Sequence, residues 1–168
     1  PEDVLSSLGP DLASQQALRV QPGVDREAFE QALELLRKAQ APLIVVGGSS
    51  WDARSCADLQ AWSEQQNIPV VSSFRYQDVM DNASPAYAGF LGLGINPKLV
   101  QRVQQADVVL VIGDRLGEIT TLGYTLFTVP NPQQQMIHVH PGANELGFVY
   151  QPTVALNCAP THFVKELI

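Results

Sequence analysis

The chain has 168 residues, 45% of them hydrophobic and 16% charged, with a formal net charge of −7 and an isoelectric point near 4.8. That length suits one ordinary domain with a sizeable core, and the low aromatic share (7%) predicts a core of Leu, Val, Ile and Ala. The acidic balance excludes nucleic acid and anionic membranes as partners, since both demand a basic surface. A phosphate-bearing cofactor stays open, because backbone amides and helix N-termini bind phosphate locally.

The stretch 1–24 is broken by Pro1, Pro10 and Pro22 and carries no useful periodicity, so it reads as a linker, and 25–168 as a single domain. Asp25 is a candidate N-cap, followed by Phe29, Ala32, Leu33 and Leu36 at the spacing of an amphipathic helix. Pro42 to Gly48 (PLIVVGG) is a continuous apolar run ending in glycines, the pattern of a strand buried on both faces. Residues 53–66 form the next helix, with Cys56, Leu59 and Trp62 facing inward. Pro69 to Ser73 is a second buried strand, and a short strand is expected near Tyr87–Phe90 in an otherwise irregular, glycine-rich region.

Pro97 suits the first position of a helix that buries Leu99, Val100 and Val103. Ala106 to Asp114 is the strongest strand of the chain. Gln135 to His140 and Thr153 to Asn157 are two more, and a last helix begins near Thr161. Apolar strands alternating with helices predict a parallel sheet covered on both faces. The expected fold class is therefore α/β: a three-layer α/β/α sandwich around a mostly parallel, Rossmann-like, six-stranded sheet.

Ligands of such sheets sit beyond the carboxyl ends of the strands. Gly47-Gly48-Ser49-Ser50 could present amides to a phosphate, or could simply be a tight strand-to-helix turn. Gly113-Asp114-Arg115 offers a guanidinium that either grips a phosphate or pairs with Asp114 or Glu118. His138 and His140 lie on one side of their strand, but no third ligand stands nearby to complete a metal site. The Gly89–Gly94 loop either lines the same crevice or answers to packing. His162, at the start of the last helix, reads as a surface residue. No nucleophile, metal or acid–base motif marks a catalytic residue. Cys56 and Cys158 lie outside any CxxC spacing and read as a buried, reduced pair, the usage of a cytoplasmic protein.

PLIVVGGS at 42–49, IPVVSSF at 68–74, YAGFLGLG at 87–94, ADVVLVIGDRL at 106–116 and MIHVHPGANELG at 136–147 follow one another at natural spacing. In that order they resemble the central domain of thiamine-diphosphate enzymes of the acetolactate synthase-like group. The resemblance implies a fragment of a longer chain, and Pro1 to Leu5 is similar to the last strand end of a preceding pyrimidine-binding domain. It implies a parent that acts on 2-keto acids with thiamine diphosphate and Mg²⁺, as a transferase or lyase, the cofactor being bound by the pyrimidine- and diphosphate-binding domains on either side. This chain would be a non-catalytic scaffold, inactive alone and part of a homo-oligomer.

Some members of the family hold FAD or an ADP-containing group in the central domain. The matching positions here are Gly47, Gly48, Gly92, Gly94, Gly113, Arg115 and Glu145. The FAD binders carry acidic residues and a second arginine where this chain has Gly117, Glu118 and Ile119. Their Asp-x-Asp is His140-Pro141-Gly142 here, and their Gly-Asp is Asn157-Cys158-Ala159. These departures argue against FAD. The competing reading is a self-sufficient domain that binds FAD, NAD or ADP.

Overall fold

A computed structural model describes residues 20–168. The strand end inferred at Pro1–Leu5 and most of the linker lie outside the described residues. From Val20 to Asp25 the chain has neither helix nor strand. It lies against the C-terminal helix, where the Pro22 carbonyl accepts the Ala159 amide at 3.2 Å.

Helix α1 spans Arg26–Lys38, with the Asp25 side chain accepting the Ala28 amide at 2.9 Å as its N-cap. Then come β1 (Leu43–Val46), α2 (Ala53–Gln66), β2 (Val70–Ser72) and β3 (Tyr87–Phe90). They are followed by α3 (Pro97–Gln105), β4 (Val108–Ile112), β5 (Gln135–Val139), β6 (Val154–Leu156) and α4 (Pro160–Leu167). Each expected strand and helix is present. The sheet order is β3-β2-β1-β4-β5-β6, and every neighbouring pair is parallel. The sheet is thus fully parallel, where a mostly parallel one was expected.

Because strand residues alternate faces, the core divides in two. Ile44, Val46, Leu110, Ile112, Ile137 and Val139 face α1, α2 and α4, meeting Phe29, Leu59 and Phe163. Leu43, Val45, Val109, Val111 and Met136 face α3 through Leu99 and Val103. The rest of that second face is closed by the β4–β5 connection, which has no helix and buries Leu116, Leu126 and Phe127. Phe127 stacks edge-on with Tyr150, centroids 5.7 Å apart. All five residues of β4 are buried, each such aliphatic side chain contributing roughly 1.5–3 kcal/mol of transfer free energy.

The inward face of α2 departs from expectation. Leu59 is buried, but Cys56 and Trp62 are only half-buried while Ser55 and Ser63 are buried. Small hydroxyls can take those positions because each is satisfied within its own turn, Ser63 Oγ donating to the Gln60 carbonyl at 2.9 Å. Both cysteines are free, Cys158 buried and Cys56 half-buried, so only one of the pair sits in the core. Burial pushes the Cys158 thiol up to about 12.

The sheet is also clamped at its amino end. The Asp107 carboxylate, just before β4, accepts the amides of Gln40 at 2.6 Å and Ala41 at 2.9 Å. Partial burial opposes its charge, but these amides outweigh that and hold its carboxyl below the usual range.

Candidate functional site

The strand order reverses between β1 and β4, since β1 leads outward to β2 and β3 while β4 leads to β5 and β6. A crevice is expected beyond the carboxyl ends at that point, and one of about 480 Å³ is there. It is walled by Gly48 and Ser49 after β1, Phe74 and Tyr76 after β2, Gly113 to Arg115 with Gly117 to Thr120 after β4, and His140 after β5.

Local backbone shapes this crevice. Gly48 and Gly113 have φ of 69° and 82°, and Ser50, Arg75 and Leu116 have φ of 71°, 70° and 56° without being glycine. At residues other than glycine such backbone costs about 1–2 kcal/mol each, and Ser50, Arg75 and Leu116 together at one end of the sheet mark a place that tolerates strain. Arg75 lays its guanidinium over the Phe74 ring at 5.1 Å.

The glycines are required by the strand ends themselves. A Cβ on Gly47 would run into the Ser73 hydroxyl and lie 2.8 Å from Asp114 Oδ2. A Cβ on Gly48 would run into the Gly113 carbonyl oxygen, and one on Gly113 into the Gly47 carbonyl oxygen. The amides are engaged as well: Gly47 N–H donates to the Ile112 carbonyl at 3.1 Å and Gly113 N–H to the Val139 carbonyl at 2.8 Å. Close packing is therefore sufficient to account for glycine at these three positions.

Asp114 is buried, and its Oδ1 accepts the Leu116 amide at 2.6 Å. Its carbonyl accepts the His138 Nε2–H at 2.8 Å. His138 is buried with Nδ1 unpartnered among the described residues, and burial lowers its pKa below the ordinary 6.5. His140 Nδ1 accepts the Gly142 amide at 3.0 Å. The two rings meet edge-on, centroids 6.1 Å apart, and no group of three metal-ligating side chains occurs among the described residues.

Of the sequence-derived candidates, Gly48, Gly113 and Arg115 border the crevice. Gly47 lies buried behind it, and Gly92, Gly94 and Glu145 are not among its lining residues. Gly92 packs on Phe74, whose Cδ2 a Cβ there would approach to 2.8 Å. Arg115 is exposed and has no ion pair with Asp114 or Glu118. Its guanidinium folds back over Gly117, Nε lying 3.3 Å from where a Cβ would stand. His162 is half-buried, with Nδ1 donating to the Pro22 carbonyl at 3.0 Å, and is not simply a surface residue. Phe74, Tyr76 and Thr120 were not singled out in the sequence. Phe74 and Tyr76 follow a strand end directly, and that position is the signal that could have found them.

The class defined so far is a doubly wound, parallel α/β domain with a strand-end crevice. Within that class the chain belongs to the family described as thiamine pyrophosphate enzyme, central domain, which it matches over residues 29–167. It is 35% identical to a sulfoacetaldehyde acetyltransferase of Rhodobacter capsulatus over 104 residues, 61% of this chain and 18% of the relative. It is 28% identical to an enzyme of the same name from Alcaligenes xylosoxydans xylosoxydans over 141 residues, 83% of this chain and 23% of the relative. It is 27% identical to the acetolactate synthase large subunit of Corynebacterium glutamicum over 128 residues, 76% of this chain and 20% of the relative. The chain thus spans about a fifth of the length of the curated relatives it matches.

Proposed function

We propose that this chain is the central scaffold domain of a thiamine-diphosphate- and Mg²⁺-dependent enzyme that acts on 2-keto acids, as a carboligating transferase or a decarboxylase of the acetolactate synthase kind. Thiamine diphosphate supplies the carbanion chemistry when bound. In this reading pyrimidine- and diphosphate-binding domains of the same polypeptide hold it, residues 1–24 link the first of them to this domain, and the isolated domain is inactive. The observation that carries the reading is the family match across 29–167 on a fully parallel sheet of this order. The relatives' names, an acetyltransferase and an acetolactate synthase, favour group transfer.

The task left to this domain is to position its neighbours. Phe148, Val129 and Tyr124 stay exposed, each within a few positions in sequence of Phe127 or Tyr150, and the Gln151 amide ties the Phe148 loop to the Pro130 carbonyl at 2.7 Å. An apolar rim of this kind suits contact with a flanking domain or a second subunit of a homo-oligomer. Free thiols support a cytoplasmic setting, and no helix among the described residues is long and apolar enough to cross a membrane.

Isothermal titration of the full-length protein with thiamine diphosphate and Mg²⁺ tests the assignment. Saturable binding near one equivalent per chain is expected, together with turnover of a 2-keto acid such as pyruvate. Absence of binding overturns the reading.

A further inference from the structure

The resemblance implies FAD or an ADP-containing group in the central domain of some members of the family, so the crevice residues can be tested against the diphosphate of such a nucleotide. They do not fit it. A diphosphate at the end of β1 needs free amides in the turn and the positive end of the next helix directed at it. Here the Gly47 amide is spent on Ile112 and its carbonyl accepts Trp51 Nε1–H at 2.8 Å, so the amides left in the turn, those of Gly48 to Ser50, lack the aligned helix end that would complete a phosphate cradle. The Trp51 bond, with the left-handed Ser50, pins a detour through Ser49–Asp52 before α2 begins.

The start of α2 consequently faces elsewhere. Asp52, Arg54 and Ser55 line a separate hollow of about 300 Å³ with Thr161, His162 and Lys165 of α4. The helix end is also occupied, since Asp52 Oδ1 accepts the Ser55 amide at 2.7 Å and Ser55 Oγ accepts the Asp52 amide at 3.1 Å in a reciprocal cap. The Ser55 amide and hydroxyl hold the Asp52 carboxyl below the usual carboxylate range. A fixed carboxylate thus stands where the phosphate would need a positive dipole.

The far end of the crevice is closed in the same way. Asn157 Nδ2 donates to the carbonyls of His140 and Pro141, both at 3.0 Å. The strand ends after β5 and β6 are thereby bonded to each other, and the Asn157 amide is not free to donate to a phosphate. Among the lining residues Asp114 and Glu118 set two carboxylates against the single guanidinium of Arg115, a net of about −1 that repels a diphosphate. The volume would admit a ligand of moderate size; the chemistry of the walls refuses this one.

We infer that the crevice holds no nucleotide diphosphate, and that this protein works without FAD or ADP in its central domain. The inference rests on the chain's own hydrogen bonds and not on the assignment proposed above. The test uses the full-length protein as purified, with flavin sought in the supernatant after acid precipitation, followed by titration with FAD and ADP to roughly 1 mM. A site with Kd of roughly 10 µM would then be about 99% filled. No flavin released and no saturable heat or thermal shift with either nucleotide is expected. Flavin near one equivalent per chain, or saturable binding of either nucleotide, overturns the inference. Thiamine diphosphate with Mg²⁺, titrated into the same sample, reports separately on the family assignment, so the two can fail independently.

Discussion

Replacing Gly48 by alanine separates a glycine kept for packing from one kept for a ligand. Two costs add at this position. The backbone sits at φ 69°, and a left-handed residue with a Cβ costs about 1–2 kcal/mol. The new methyl would also meet the Gly113 carbonyl oxygen, so the ends of β1 and β4 must part, an overpacking cost of about 1–3 kcal/mol. Together Gly48→Ala should lose about 2–5 kcal/mol, a large share of the roughly 5–15 kcal/mol that holds a domain. Gly94→Ala is the internal control, because it shares the left-handed backbone at φ 76° but has no heavy atom within 4 Å of its Cβ position. It should lose only the first term, about 1–2 kcal/mol. Urea unfolding followed by tryptophan fluorescence reads both, with Trp51 bonded to the turn itself. If Gly48→Ala is no less stable than Gly94→Ala within about 0.5 kcal/mol, the interlocked strand ends do not explain the glycine.

Phe163→Ala should cost about 3–5 kcal/mol, since the ring is fully buried and meets Phe29 edge-on at 5.5 Å; the same urea titration checks it. The His138 pKa is lowered in the folded state from the ordinary 6.5, so below that pH the unfolded chain takes up a proton the folded one refuses. Its contribution is complete above pH 6.5 and fades as pH falls below it, at no more than about 1.4 kcal/mol per pH unit, and His138→Gln should flatten that part of the stability–pH curve. With its thiol held up to about 12, Cys158 should resist a disulfide reagent near pH 8 until the protein unfolds. Half-buried Cys56, whose thiol burial also raises, should react first but slowly.

The fold was legible because its strongest signals are local. Continuous apolar runs such as VVLVI in β4 and LIVV in β1 can be buried only in a sheet covered on both faces. Helix starts carried their own markers, Asp25 as a side-chain cap and Pro97 at the first helical position. The β4–β5 connection was only partly legible, since Gly123 marks a turn but the left-handed backbone of Leu122 and Tyr124 on either side of it has no glycine to announce it. The buried serines of α2 escaped because a hydroxyl satisfied by its own turn carries no mark of burial in the sequence.

The site divides along the same physical line. Its place follows from topology, because the connections leaving the paired strands β1 and β4 run to opposite faces of the sheet and open a gap beyond their carboxyl ends whatever residues they carry. Its chemistry depends on which donors remain free, and that is decided by partners far away in sequence. The Gly113 amide is taken by Val139 and the His140 carbonyl by Asn157, bonds that no spacing within either segment predicts. Gly47-Gly48 and Gly113-Asp114-Arg115 therefore read as a phosphate cradle when taken one at a time. Once β1 and β4 are paired they are two halves of one interlock, each glycine making room for the other's carbonyl. A glycine-rich strand end reports close approach of backbone. Whether it approaches a ligand or another strand is settled only by tertiary contact, and here it is another strand.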